Sequence, residues 1–137
     1  MTAKEWLSQM WTLDDRVERK LEEVYRMRSQ IERANAVISD MPRGGGRHDW
    51  TDTLIKVTEM ERKLLDDIRD MMALKSEIHE AIDLIDDARL RQLLELRYIN
   101  HRSWRAIARE MHYDESWVYV LHGKALRQIT VPAKVSR

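Results

Sequence analysis

The chain has 137 residues, of which 24 Lys+Arg balance 24 Asp+Glu and 43% are apolar, so it suits one folded domain or a domain with an extension and is too apolar for a disordered chain. It contains no cysteine, which excludes disulfides, cysteine-ligated zinc and thiol catalysis. The longest apolar run, Trp117 to Leu121, is far short of the ~20 residues a transmembrane helix needs. The segment Met1 to Trp6 lacks the apolar stretch of a signal peptide, so the cytoplasm is the expected compartment and no membrane is expected as a partner.

The zero net charge hides an asymmetry. Residues 1–87 hold 14 Lys+Arg and 20 Asp+Glu, whereas residues 88–137 hold 10 and 4. The acidic part joined to a basic part directs the search for a nucleic-acid surface to the basic end.

From Met10, a sevenfold step lands on Val17, Val24, Ile31 and Ile38, all apolar. The companion positions Leu13, Met27, Ala34 and Met41 are apolar too, with Lys20 as the exception. This is a heptad seam on a long helix, which Thr2 can cap. Met41-Pro42-Arg43-Gly44-Gly45-Gly46-Arg47-His48-Asp49 breaks it, because proline disfavours helix before it and three glycines cannot hold one. Asp49 or Thr51 can cap a second helix, on which Trp50, Val57, Leu64, Met71, Ile78 and Ile85 repeat the sevenfold step to about Asp86. Two long helices joined by a short turn are antiparallel neighbours, so residues 1–86 read as a coiled-coil-like helical hairpin with its turn at 41–49. Trp6, Leu65, Met72 and Leu74 fall off the seam. They are expected to pack on the C-terminal module or on a second copy of the chain, making a homodimer the expected state.

Asp86-Asp87 can cap a third helix from Ala88 to about Ile99, with Leu90, Leu93, Leu94 and Tyr98 on one side. Ser103 is a good N-cap for a fourth, whose face is Trp104, Ile107, Ala108 and Met111. Asp114 can cap a fifth, with Val118, Leu121, Ala125 and Ile129 inward, and Pro132 follows its end. Residues 87–132 thus contain two short helices joined by a tight turn, which fits a helix-turn-helix; a generic three-helix knot without a ligand fits the spacing equally well. Residues 133–137 form a C-terminal tail.

Leu93-Leu94-Glu95-Leu96-Arg97-Tyr98, Ser103 to Met111, and Val118 through Lys124-Ala125-Leu126-Arg127 resemble region 4 of bacterial primary sigma factors. Sigma regions 2 and 3 have no counterpart, so a stand-alone sigma factor is not implied. Over nearly the whole chain, the acidic hairpin, the Met41 to Gly46 turn and the Trp117-Val118-Tyr119-Val120-Leu121-His122-Gly123-Lys124-Ala125-Leu126 helix are similar to the ArpU/RinA-type regulators of late genes in phages and prophages of Gram-positive bacteria. The resemblance implies a transcriptional regulator in a bacterial host cell, with the helix at 115–129 reading DNA. It aligns Glu115, Ser116, Tyr119 and Val120 with the base-reading positions of sigma region 4. All four residues differ from those of the sigma factors, so the sigma promoter element is not carried over. Lys124 matches the family's lysine near the DNA backbone.

Other chemistry is weaker. Asp66, Asp67 and Asp70 sit on a charged helix and read as a solvated face. His48, His79, His101, His112 and His122 lack metal-ligand spacing, so neither a metal nor a cofactor is expected. The glycine loop lacks a P-loop ending and reads as a turn, with a contact to RNA polymerase as the alternative. Gly123 inside a helix suggests close approach of another backbone, or simple tolerance. Trp104 reads as core; Trp117 reads either as half-packed with its indole N–H toward phosphate or as pure packing.

The expected protein is therefore all-α, a helical hairpin followed by a sigma region 4-like helix-turn-helix, and is not an enzyme. It would bind double-stranded DNA in a sequence-specific manner. Glu115, Ser116, Tyr119 and Val120 would touch bases, and Arg102, Ser103, Arg105, Arg109, Trp117, Lys124 and Arg127 would touch the backbone. The alternatives are a helical adaptor that binds bacterial RNA polymerase or another protein, and a DNA-recognition component of phage packaging.

Overall fold

The computed structural model describes residues 1–39 and 50–133. The expected turn at 41–49, the candidate cap Asp49 and the tail beyond Ala133 lie outside the described residues. The protein is all-α: five α-helices and a single π turn are present, with no strand among the described residues. None of these helices is long and apolar enough to cross a membrane.

Helix α1 runs Ala3–Ser39 and α2 runs Thr51–Asp83. The start of α1 is fixed by a reciprocal cap: Glu5 N–H donates to Thr2 Oγ1 at 3.1 Å, and the Glu5 carboxylate accepts from Thr2 N–H at 3.3 Å. The chain forms two compact units, and α1 and α2 run through both: Asp14–Asp70 is one, and Met1–Leu13 with the chain from Met71 onward is the other.

In the Asp14–Asp70 unit, the two helices are antiparallel. Lys20 pairs with Asp67 and Arg28 pairs with Glu61, so rising numbers on α1 meet falling numbers on α2. The seam between them buries Val17, Val24, Ile31, Val57 and Leu64. Lys20 and Asp67 occupy companion positions in this heptad pattern, and Arg16 also reaches Asp67 at 4.0 Å. The exception in the apolar repeat thus meets an opposite charge on the facing helix. Asp66 pairs with Arg69 on its own helix, and among the described residues no cluster of His, Asp and Glu could hold a metal ion.

In the other unit, Trp6, Leu7 and Met10 of α1 and Leu74, Ile78, Ile82 and Ile85 from the α2 end join one core with the C-terminal helices. Trp6 and Leu74 are the off-seam residues that find cover there; Leu65 and Met72 stay exposed. Helix α2 stops three residues earlier than the periodicity predicts, since Ile85 N–H bonds back to Ile82 and closes the helix in a turn. Asp87 caps α3 (Ala88–Leu94) by accepting from Arg89 N–H at 2.9 Å, and the adjacent Arg89 guanidinium holds the Asp87 carboxyl below the usual carboxylate range.

The third helix does not continue as an α-helix to Ile99. From Glu95 to Ile99 it widens into the π turn, in which Asn100 N–H reaches Glu95 O at 2.9 Å. Ser103 then caps α4 (Trp104–Met111), accepting from Ala106 N–H at 3.1 Å, and α5 (Glu115–Gln128) follows a three-residue connector. Asp114 holds the expected N-cap position of α5 with extended backbone, but its side chain makes no capping hydrogen bond.

Candidate nucleic-acid interface

Helix α5 has two faces of different chemistry. Val118, Leu121, His122 and Ala125 are buried against α3 and α4, which fixes the helix on its inner side. The outer side carries Glu115, Ser116, Trp117, Tyr119, Val120, Lys124 and Arg127, all exposed. Trp117, Tyr119 and Val120 are large apolar residues left 39%, 49% and 47% accessible, clustered within one turn. Val120, Lys124 and Arg127 are spaced i, i+4, i+7 and share one stripe with Ser116. On α4, Arg105 and Arg109 are exposed one turn apart, and Arg102 is exposed just before its start. Ser103 is also exposed, with its hydroxyl engaged as the α4 cap.

The connector between the helices is tight for a specific reason. His112 ends α4 in the left-handed conformation, with φ 60°, where its N–H and that of Tyr113 recover the carbonyls of Arg109 and Ala108. Ile107 and Ala108 are buried beneath the crossing helix.

Behind the exposed face stands a layer of stacked rings that sequence reading did not anticipate. The Arg97 guanidinium of the π turn lies between two indoles, its Cζ 4.7 Å from the Trp11 ring and 4.2 Å from the Trp104 ring. Arg97 Nη1 donates to Arg102 O at 3.0 Å, and Trp11 Nε1 donates to Arg97 O at 3.2 Å. Trp104 is half-buried rather than a closed core residue. It meets Tyr119 at 5.2 Å and the His122 ring edge-on at 4.6 Å. Tyr98 stacks on Trp11 and shares a 2.7 Å hydrogen bond with His122. Burial pushes the Tyr98 hydroxyl up to about 12 and, together with nearby Lys4 and Arg97, pulls His122 down to about 4. A continuous set of ring contacts therefore links Trp11 of α1 through Arg97 and Trp104 to Tyr119 on the exposed face.

The structure brings some of the expected contact residues together. Lys124 Nζ lies 5.4 Å from the Trp117 ring, so the two share one patch at the start and middle of α5. Gly123 needs no close backbone approach within this chain, because an added Cβ would meet only Arg127 Nη1, at 3.7 Å. The signal for the ring layer lay in the sequence as Trp11, Tyr98, Trp104 and His122. Their separation along the chain hid it, and Arg97 and Tyr98, which join the layer, both lie in the π turn.

These features define an all-α protein with a long antiparallel helix pair and a compact module whose last helix exposes an aromatic and basic stripe. The chain belongs to the DUF1492 family: the family model, described as a protein of unknown function, matches residues 33–130, which include all of α2 through α5. No curated protein and no solved structure matches the chain.

Proposed function

We propose that this protein is a non-enzymatic, sequence-specific DNA-binding regulator of transcription, acting in the cytoplasm of a bacterial host with α5 as its recognition helix. The observation that carries the reading is the division of α5 into an inner face locked by Val118, Leu121, His122 and Ala125 and an outer stripe of Ser116, Trp117, Val120, Lys124 and Arg127. A helix held in this way, preceded by a second helix bearing exposed Arg105 and Arg109, has the parts of a helix-turn-helix docked in a major groove. The resemblance to sigma region 4 and to ArpU/RinA-type late-gene regulators of phages supports the same role.

Within that reading the contacts divide by chemistry. Arg102, Arg105, Arg109, Lys124 and Arg127 neutralise phosphates, helped by the Ser103 hydroxyl and the Trp117 indole N–H, and they carry affinity without sequence information. Ser116, Tyr119, Val120 and Glu115 face base edges: Val120 suits a thymine methyl, and Glu115 can gain only by accepting from a cytosine amino group. Selection of binding sequences from a randomised duplex pool tests the proposal. Enrichment of a defined motif is the expected outcome. Retention by RNA polymerase together with no enrichment from the pool would replace the regulator with an adaptor.

A further inference from the structure

We infer that the Asp14–Asp70 helix pair is a self-association surface for a second copy of this chain, formed by Leu21 and Tyr25 of α1 with Leu65 and Ile68 of α2. Leu21, Tyr25 and Leu65 are 48%, 74% and 53% accessible, although they belong to helices whose seam is fully formed without them. Their placement follows from the ion pairs. Arg28 and Glu61 meet across one flank of the seam. One heptad along, seven residues back on α1 and seven forward on α2, the same geometry sets Leu21 beside Ile68. Tyr25 lies one turn from Leu21, and Leu65 one turn from Ile68, on the outward side of each helix. The result is an apolar strip two helices wide on one flank of the pair.

The charges bordering the strip select both the occupant and its orientation. One position outward from the strip, α1 carries Glu22 while α2 carries Arg62 and Arg69, all exposed; Glu18 lies one heptad before Tyr25, in the strip's own row on α1. The row bordering the patch is therefore acidic on α1 and basic on α2, with Arg19 and Arg26 on α1 and Glu59 and Asp66 on α2 one row further out. Two copies facing each other about a two-fold axis parallel to the helices place α1 of each on α2 of the other. Glu22 then stands at the height of the interval between Arg62 and Arg69 of the second copy. A two-fold axis across the helices would instead oppose acid to acid and base to base, so complementarity favours only the first arrangement. Arg62 and Arg69 already contact Glu59 and Asp66 on their own helix, but those pairs are exposed and hold them weakly. The helices meet antiparallel across the new interface, as within each copy, giving a four-helix bundle.

This inference is independent of what α4 and α5 bind, and its test contains no DNA. Sedimentation equilibrium of the full chain across the micromolar range should show a species of twice 16.4 kDa. Tyr25→Glu combined with Leu65→Glu should weaken the dimer by about tenfold or more while leaving helicity unchanged, because both positions are exposed in the single copy. Glu22→Lys should weaken it too, and adding Arg62→Glu and Arg69→Glu should restore it. A wild-type chain that stays at 16.4 kDa overturns the proposal, as does a dimer that the Tyr25 and Leu65 variants leave intact. Failure of the charge reversal to rescue overturns the assigned axis.

Discussion

The Tyr98 hydroxyl and the His122 imidazole meet at 2.7 Å inside the module, with Trp104 packed edge-on against the same imidazole. Both groups are held uncharged by burial, and Lys4 and Arg97 add their positive charge against protonation of the histidine. In the unfolded chain that imidazole titrates near its ordinary value of 6.5; in the folded protein it titrates at about 4. The unfolded state therefore binds more protons between those values. The contribution of His122 to stability is full above pH 6.5 and is lost as the pH drops from 6.5 to about 4, by about 3 kcal/mol at most. Chemical denaturation at stepped pH checks this. His122→Gln, which keeps a hydrogen-bonding side chain but cannot titrate, should lack this component of the acid loss. A variant that follows the wild-type curve would mean that carboxylates alone carry it.

The hairpin seam offers a second test. Lys20 and Asp67 pair in an otherwise apolar repeat, with the Asp67 side chain only 15% exposed. Asp67→Ala leaves the Lys20 and Arg16 charges at the seam without their acceptor and should cost about 1–2 kcal/mol, less than a fully buried pair because Lys20 reaches solvent. Replacing both Lys20 and Asp67 by Leu should recover that loss, since a well-packed apolar layer replaces an ion pair at little net cost. Thermal denaturation of Lys20→Leu, Asp67→Leu and the variant carrying both gives the coupling energy directly. Additive losses would show that the pair contributes nothing beyond its separate side chains.

Much of this architecture was legible in the chain. The sevenfold steps from Met10 and Trp50 locate both long helices and their buried layers, because period and burial are the same physical constraint. Thr2, Asp87 and Ser103 cap where their short polar side chains predict. Asp114 occupies the correct position without making the bond, since residue type does not fix a rotamer. The π turn was not legible: residues 88–99 have an uninterrupted helical pattern, and the extra residue is inserted where packing brings Tyr98 onto Trp11 and His122. His122 therefore looked like one of five dispersed histidines, whereas it is a buried partner of a residue 24 positions away.

His112 provides a prediction of gain. Its φ of 60° lies in the left-handed region, which side chains with a Cβ enter at a cost. His112→Gly should stabilise the protein by roughly 0.5–1 kcal/mol, as the α4 end keeps its backbone bonds and loses the strain. Thermal denaturation of the variant beside the wild type checks this. A destabilised variant would show that the exposed imidazole makes a favourable contact.

The ring contact of Tyr119 with Trp104 bears on base reading. Tyr119→Ala and Val120→Ala should cost about 1–3 kcal/mol on the selected sequence and little on random duplex. Glu115→Gln separates two roles: a changed base preference assigns it to a cytosine, and a lowered melting temperature with unchanged preference assigns it to the start of α5. Competition binding with single-base variants of the selected site measures each.

The central claim, that the exposed stripe of α5 and the arginines of α4 grip DNA, is tested most directly by duplex affinity as a function of salt. The wild-type logarithm of affinity should fall steeply with the logarithm of salt concentration. Lys124→Ala and Arg109→Ala should each reduce that slope by about one unit on specific and random sequences alike, because each removes one phosphate contact. Absence of duplex binding at low salt, or slopes that neither substitution changes, would contradict the account.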